Sequence, residues 1–155
     1  MTTKRCPVCG EGQLVEREQA TTLAYKGLET TVLVPGQWCD VCGDGILGPE
    51  GLRVRDVARA ELRAKFQGVL GPSEVKRIRE KLGLSQRTAS ELLGGGAQSF
   101  QRYESGAVVV SEGMSNQLIL LDKVSDLPDS VREGLLAALR AEREALRAQR
   151  PQTAA

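Results

Sequence analysis

All four cysteines of this 155-residue chain fall in two pairs, Cys6-Pro-Val-Cys9 and Cys39-Asp-Val-Cys42, and the chain has no histidine. A two-residue gap lets a tight knuckle aim both sulfurs of a pair at one point, and a glycine, Gly10 or Gly43, follows each pair. Four thiolates at about 2.3 Å complete the tetrahedral shell of Zn²⁺ and leave no position for a water or a substrate. Cys6, Cys9, Cys39 and Cys42 are therefore expected to hold one structural Zn²⁺. Such a metal builds a small domain, so function must be sought elsewhere in the chain.

Other uses of the cysteines fit less well. A disulfide framework suits an exported protein, but Met1-Thr2-Thr3-Lys4-Arg5 runs into Cys6 without the apolar stretch of a signal peptide. A redox CxxC pair would leave the second pair unexplained. Cys6-Pro-Val-Cys9-Gly10 is similar to a rubredoxin knuckle, which makes iron the rival metal. Aromatic residues are only 3% of the chain, a poor fit to the aromatic core of that family, and zinc is favoured.

The length allows one ordinary domain or two small ones. No apolar run approaches the roughly 18 residues of a membrane span, so a cytoplasmic protein without membrane contact is expected. Charge is unevenly spread. Residues 1–47 carry four Lys/Arg against six Asp/Glu, and the tail from 107 carries six against seven. Residues 48–71 carry five against three and residues 72–106 six against four, so the basic charge sits mid-chain. That distribution hints at a nucleic-acid contact there.

Between the knuckles, residues 13–17, 21–25 and 30–34 have the alternation and β-branching of short strands, with a turn at Lys26-Gly27. Strands so short need the metal to sustain a core. Trp38, beside Cys39, reads as a packing cap over the metal site or as an exposed anchor for a partner. Pro49 opens a helix over residues 50–67, which reads as a linker. Arg55, Arg59 and Arg63 share one of its faces, beside an apolar stripe of Val54, Ala58, Leu62 and Phe66. A solvated basic face is the default for such arginines, with phosphate contact the alternative.

A second domain begins at Ser73, taken as an N-cap. Val75, Ile78 and Leu82 line its first helix; Ser85 caps a second, residues 86–93; Gly94-Gly95-Gly96 turns; and a third follows over residues 98–104. Two short helices about a glycine turn form a helix-turn-helix pattern. Phe100 and Tyr103 should anchor the last of them in the core, which turns Gln98, Gln101 and Arg102 outward. Gln98 and Arg102, four apart, share a face. Glutamine can pair bidentately with the adenine edge and arginine with the guanine edge, so these two are candidate base readers. The default for exposed Gln and Arg is simple solvation. Ser85, Gln86, Arg87 and Gln101 are candidate contacts to the DNA backbone, with Lys76 and Arg77 adding charge. Beyond lie two amphipathic stretches: one with Met114, Leu118, Leu121 and Val124 on a face, and a longer one, from 129 or 130 to about 150, striped by Val131, Leu135, Leu139 and Leu146. A long helix with one apolar stripe must cover its own domain or a second chain.

The run from Leu82-Gly83-Leu84-Ser85-Gln86-Arg87 through Phe100-Gln101-Arg102-Tyr103-Glu104-Ser105-Gly106 resembles the XRE/Cro-type helix-turn-helix family. Joined to the CPVC…CxxC module, it resembles the MqsA (YgiT-type zinc finger) antitoxin family over about residues 4–127. That resemblance implies a type II antitoxin whose zinc domain binds a toxin, typically an mRNA-cleaving ribonuclease. It also implies a C-terminal domain that dimerises on a palindromic operator and represses the toxin–antitoxin operon. The family's asparagine and arginine base readers fall on Gln98 and Arg102; the arginine is retained, and the glutamine is one methylene longer than the family's asparagine. The helix at 129–150 runs past the family pattern.

The expected fold is α+β in two domains: a zinc-ribbon-like β module over 1–48, a linker helix over 49–71, an all-α helix-turn-helix and dimerisation domain over 72–127, and an extra C-terminal helix over 128–150. The expected partners are double-stranded operator DNA, a cognate toxin and a second copy of the chain. A stand-alone zinc-ribbon regulator without a toxin is the alternative. An enzyme is disfavoured, because there is no histidine to act as general base, no open metal position and no GxxxxGK[ST] phosphate loop.

Overall fold

A computed structural model describes residues 4–148. Among these residues the chain is α+β, an antiparallel sheet that gathers four cysteines, followed by six helices. It divides into two compact units. One runs to Pro72 and takes in Tyr103–Val110; the other comprises Ser73–Arg102 and the residues from Ser111.

The first unit is built on a meander of β1 (Lys4–Arg5), β2 (Gln13–Tyr25), β3 (Leu28–Cys39) and β4 (Gly45–Ile46), hydrogen-bonded in that order. The two strands expected at 13–17 and 21–25 are one. Glu18, Gln19 and Ala20 continue the ladder opposite Pro35, Val34 and Leu33, so the register runs unbroken from Leu14↔Cys39 to Tyr25↔Leu28. The turn falls at Lys26-Gly27 as expected; both residues have positive φ (48° and 83°), the geometry that matches the twist of a two-residue hairpin. Trp38 is buried, but over Gly45 of β4 rather than over the sulfurs. Neighbouring strand residues face opposite ways, so Trp38 and Cys39 serve different sides of the sheet; the indole N–H donates to the Val34 carbonyl at 3.1 Å.

Helix α1 (Pro49–Gln67) ends at Gly68 in the left-handed conformation. It is no bare connector. Ala58 and Leu62 pack with Leu23, Tyr25, Leu28 and Val32 of the hairpin, and the Phe66 ring meets Tyr25 edge-on at 5.8 Å. Ala60 and Ala64, outside the expected stripe, are also buried. Against Ala60 lies the segment that follows the third short helix: a Cβ on Gly106 would come within 2.9 Å of the Ala60 Cβ.

The second unit holds most of α2 (Pro72–Lys81) and α4 (Ser99–Glu104) and all of α3 (Gln86–Leu93), α5 (Glu112–Val124) and α6 (Asp129–Ala148). Helix α2 starts at Pro72, so Ser73 lies in its first turn and does not cap it; proline's fixed φ suits a first helical position. Phe100, Ile78, Leu118 and Val75 are the unit's most deeply buried large apolar side chains, and Leu82 is buried as well. Ser85 and Ser111 cap α3 and α5 by accepting from the Thr88 and Met114 N–H groups. On α6 the expected stripe is turned. Leu136 is its buried residue and Leu139 is half-buried, while Val131, Leu135 and Leu146 remain 44%, 47% and 63% exposed. Among the described residues, no helix is long and apolar enough to cross a membrane.

Candidate metal centre and nucleic-acid interface

The two knuckles meet because β2 and β3 pair to their ends. Cys39 closes β3 opposite Leu14, and Cys6 follows β1, which lies on the other edge of β2. In the first knuckle the Gly10 N–H donates to the Cys6 carbonyl at 3.0 Å and the Gly12 N–H to the Cys9 sulfur at 3.4 Å. In the second, the Val41 and Cys42 N–H groups both donate to the Cys39 sulfur at 3.4 Å. Gly10 and Gly43 have φ of 69° and 72°, the left-handed step that such knuckles require.

The four sulfurs lie within 4.8 Å of one another. Cys6 and Cys42 are 3.8 Å apart and Cys9 and Cys39 are 3.7 Å apart. These separations are far beyond a disulfide bond of about 2.05 Å. They match instead the edge of a tetrahedron whose centre is about 2.3 Å from each sulfur. The thiols are electrically mismatched as they stand. Backbone N–H groups of Gly12, then Glu11, hold Cys9 down to about 6. At Cys42 the Asp44 N–H favours the thiolate, but desolvation and the neighbouring sulfurs of Cys39, Cys9 and Cys6 outweigh it and push the thiol up to about 12. Four thiolates share this space only around a cation. The cluster fits one structural zinc ion, and all four ligand positions are filled by protein.

At the helix-turn-helix, Gly94, Gly95 and Gly96 all have positive φ (99°, 91° and 100°), a run open only to glycine, and they swing the chain from α3 into α4. A polar frame fixes the angle. The Ser90 hydroxyl accepts from the Phe100 N–H at 3.2 Å and from the Ser99 hydroxyl at 3.1 Å, while Ser99 lies 3.0 Å from the Gly94 carbonyl. Sequence reading missed Ser90 and Ser99; their only signal is a small polar residue among inward-facing apolar ones.

Gln86, Arg87, Ser90, Gln98 and Gln101 line a shallow cleft of about 230 Å³ on this frame. Gln98 stands just before α4, not inside it, and its carbonyl accepts the Arg102 N–H at 3.1 Å. Gln98, Gln101 and Arg102 are exposed; Phe100 is fully buried and Tyr103 half-buried. Ser85 is committed as the α3 cap, and Arg87 is paired with Glu91 at 2.9 Å. Arg77 is gripped by Asp122 at 3.0 Å and Glu74 at 2.9 Å, so its charge is largely spent within the unit. In the first unit, Arg53, Arg59 and Arg63 border a groove of about 860 Å³ beside Tyr25 and Gly106, and Arg63 donates to the Gly106 carbonyl at 3.2 Å.

Comparison with known proteins adds two findings. A family profile described as the antitoxin component of a bacterial toxin–antitoxin system, MqsA, matches residues 4–132. The Escherichia coli (strain K12) protein named Antitoxin MqsA is 30% identical over 133 residues, which cover 83% of this chain and 99% of that relative.

Proposed function

The chain belongs to the MqsA antitoxin family of bacterial toxin–antitoxin systems, and from that premise we propose that it neutralises a toxin and represses its own operon. The toxin, an mRNA-cleaving ribonuclease on this reading, is bound by the zinc domain. Its repressor half is a homodimer that reads a palindromic operator through α4. The observation that carries this reading is the α3–α4 frame, which sets Gln86, Arg87, Gln98 and Gln101 around one cleft above a buried Ser90–Phe100 contact. Ser85, Gln86, Arg87 and Gln101 serve the phosphate backbone. Gln98 and Arg102 read base edges, adenine and guanine respectively. Two copies would lay their reading helices in successive major grooves about 34 Å apart.

Chemistry at the metal has no place in this mechanism. A closed Cys₄ shell admits no substrate, and the protein acts by holding partners in a cytoplasmic setting. The test is a gel-shift series on the DNA upstream of the gene. Arg102→Ala should lose preference for one base per half-site, by about 1–3 kcal/mol. Equal binding of wild type and variant to operator and scrambled duplex would overturn the repressor half. Co-expression with the adjacent gene tests the other half, which fails if no protein from that gene co-purifies.

A further inference from the structure

Helix α6 lies mostly past the family match. The family match stops at residue 132, while α6 runs Asp129–Ala148. The alignment to the E. coli protein uses 99% of that relative and still leaves part of this chain unmatched. Yet α6 packs on α3, the first helix of the helix-turn-helix pair. Along α6 only Leu136 is buried and Leu139 half-buried, and a polar clasp ties the helix to α3: Arg147 Nη2 donates to the Glu91 carbonyl at 2.8 Å.

Arg140, Arg143 and Arg147 follow one another at spacings of three and four, so they share a face. With Thr88, Glu91 and Glu144 they line a cleft of about 160 Å³. Arg140 and Arg143 have no hydrogen-bond or ion-pair partner among the described residues, and Arg143 Nε is shielded from solvent without an acceptor. The Arg143 guanidinium stands 3.9 Å from where a Cβ on Gly94 would lie, against the turn that leads to α4. The carboxylates nearby do not cancel this charge: Glu91 is paired with Arg87, and Glu144 lines the cleft with three arginines. Guanidinium forks suit a planar or tetrahedral oxyanion. The cleft, lined by guanidinium groups, has room for a phosphate group.

Its position says which phosphate. Thr88, on the cleft wall, has its hydroxyl 2.9 Å from that of Ser85 at the start of α3. We infer that the Arg140–Arg143–Arg147 cleft binds a phosphate of the DNA backbone next to the one met by the α3 N-terminus, so that α6 widens the operator footprint of this chain. The inference rests on the helix-turn-helix being the DNA-binding element.

The test measures the full chain on its upstream DNA by fluorescence anisotropy over a salt series, together with hydroxyl-radical footprinting. The double variant Arg140→Gln/Arg143→Gln keeps Arg147, which clasps α3. It should weaken operator and scrambled duplex alike and flatten the slope of log K against log salt by about 0.9 for each phosphate lost. The footprint should shorten at its edge. Arg102→Ala should instead lose preference and keep the outer protection. If the double variant loses helicity, Arg140→Gln alone, on an exposed side chain, makes the same comparison. Wild type that binds with a slope and footprint identical to the variant's would sink the cleft and leave the helix-turn-helix reading standing. Wild type that binds no duplex at all would sink both.

Discussion

The Ser90 hydroxyl and the Phe100 backbone N–H are joined at 3.2 Å across the glycine turn, ten residues apart in sequence and buried. Phe100 is fully enclosed, so this bond sets the angle at which α4 leaves α3 and presents Gln98 and Arg102. The Ser90 oxygen also serves the Ser99 hydroxyl and reaches the Gln86 carbonyl at 2.8 Å.

Ser90→Ala removes the hydroxyl to which the buried Phe100 N–H and the Ser99 hydroxyl both donate. Loss of about 1–3 kcal/mol is expected in urea unfolding, with weaker operator binding although residue 90 is not assigned to DNA. Ser90→Thr keeps the hydroxyl and should recover part of both.

Zinc removal should act on the sheet through the one tryptophan. Trp38 is buried beside Cys39, and the Cys6, Leu14 and Cys39 cluster is the core at that end of the unit. Closed Cys₄ sites contribute folding free energy directly. The expectation is one zinc per chain by elemental analysis, with a red shift of Trp38 emission on chelation and in Cys39→Ser. Metal-free protein with unshifted emission would count against a structural ion.

Much of this was legible beforehand, for reasons that differ by element. The cysteine spacing, the Lys26-Gly27 turn, the Ser85 cap and the inward Val75, Ile78, Leu82 and Phe100 are local patterns, and local geometry satisfies them. The unbroken β2 was not, because Glu18, Gln19 and Ala20 owe their extended form to the partner strand. The face of α6 was misjudged because its docked side carries Arg143 and Arg147 beside Leu136, and arginine stems cover surface that a count of apolar residues overlooks. The candidate metal ligands came together on spacing alone. The Ser90–Ser99 frame had no comparable signature, since its partners lie across a turn.

Acid should find the Asp122 network before the core. Arg77 binds both carboxylate oxygens, at 3.1 and 3.0 Å, and Lys81 adds a contact at 3.1 Å. Arg77 first, then Lys81, holds the carboxyl down to about 2. A depressed acid stabilises the fold above the unfolded carboxylate value of about 3.9 and loses that contribution as pH falls toward 2. Asp122→Asn should cost about 0.5–1 kcal/mol at neutral pH, as partly exposed networks do. Its stability should then fall less steeply than that of wild type between about pH 4 and 2; parallel curves would exclude the linkage.

Gly106 makes the most exacting demand on a single position. Its φ is 78°, and an added Cβ would lie 2.9 Å from the Ala60 Cβ, 3.0 Å from the Asp56 carbonyl oxygen and 3.2 Å from the Val57 Cα. Two of those neighbours are helix backbone and cannot swing aside. Gly106→Ala therefore meets both a strained left-handed conformation and a wall, and a loss of about 1–3 kcal/mol is expected in the urea midpoint. Arg63→Ala removes only the 3.2 Å bond to the Gly106 carbonyl and should cost less, about 1 kcal/mol. Because the Gly106 N–H also closes the end of α4 on the Tyr103 carbonyl at 3.2 Å, Gly106→Ala should loosen operator binding as well. Hydrogen exchange would locate the change: faster exchange at 103–107 with α1 unaffected marks a local release of the α4 exit, whereas no change there would show that the segment tolerates the methyl group.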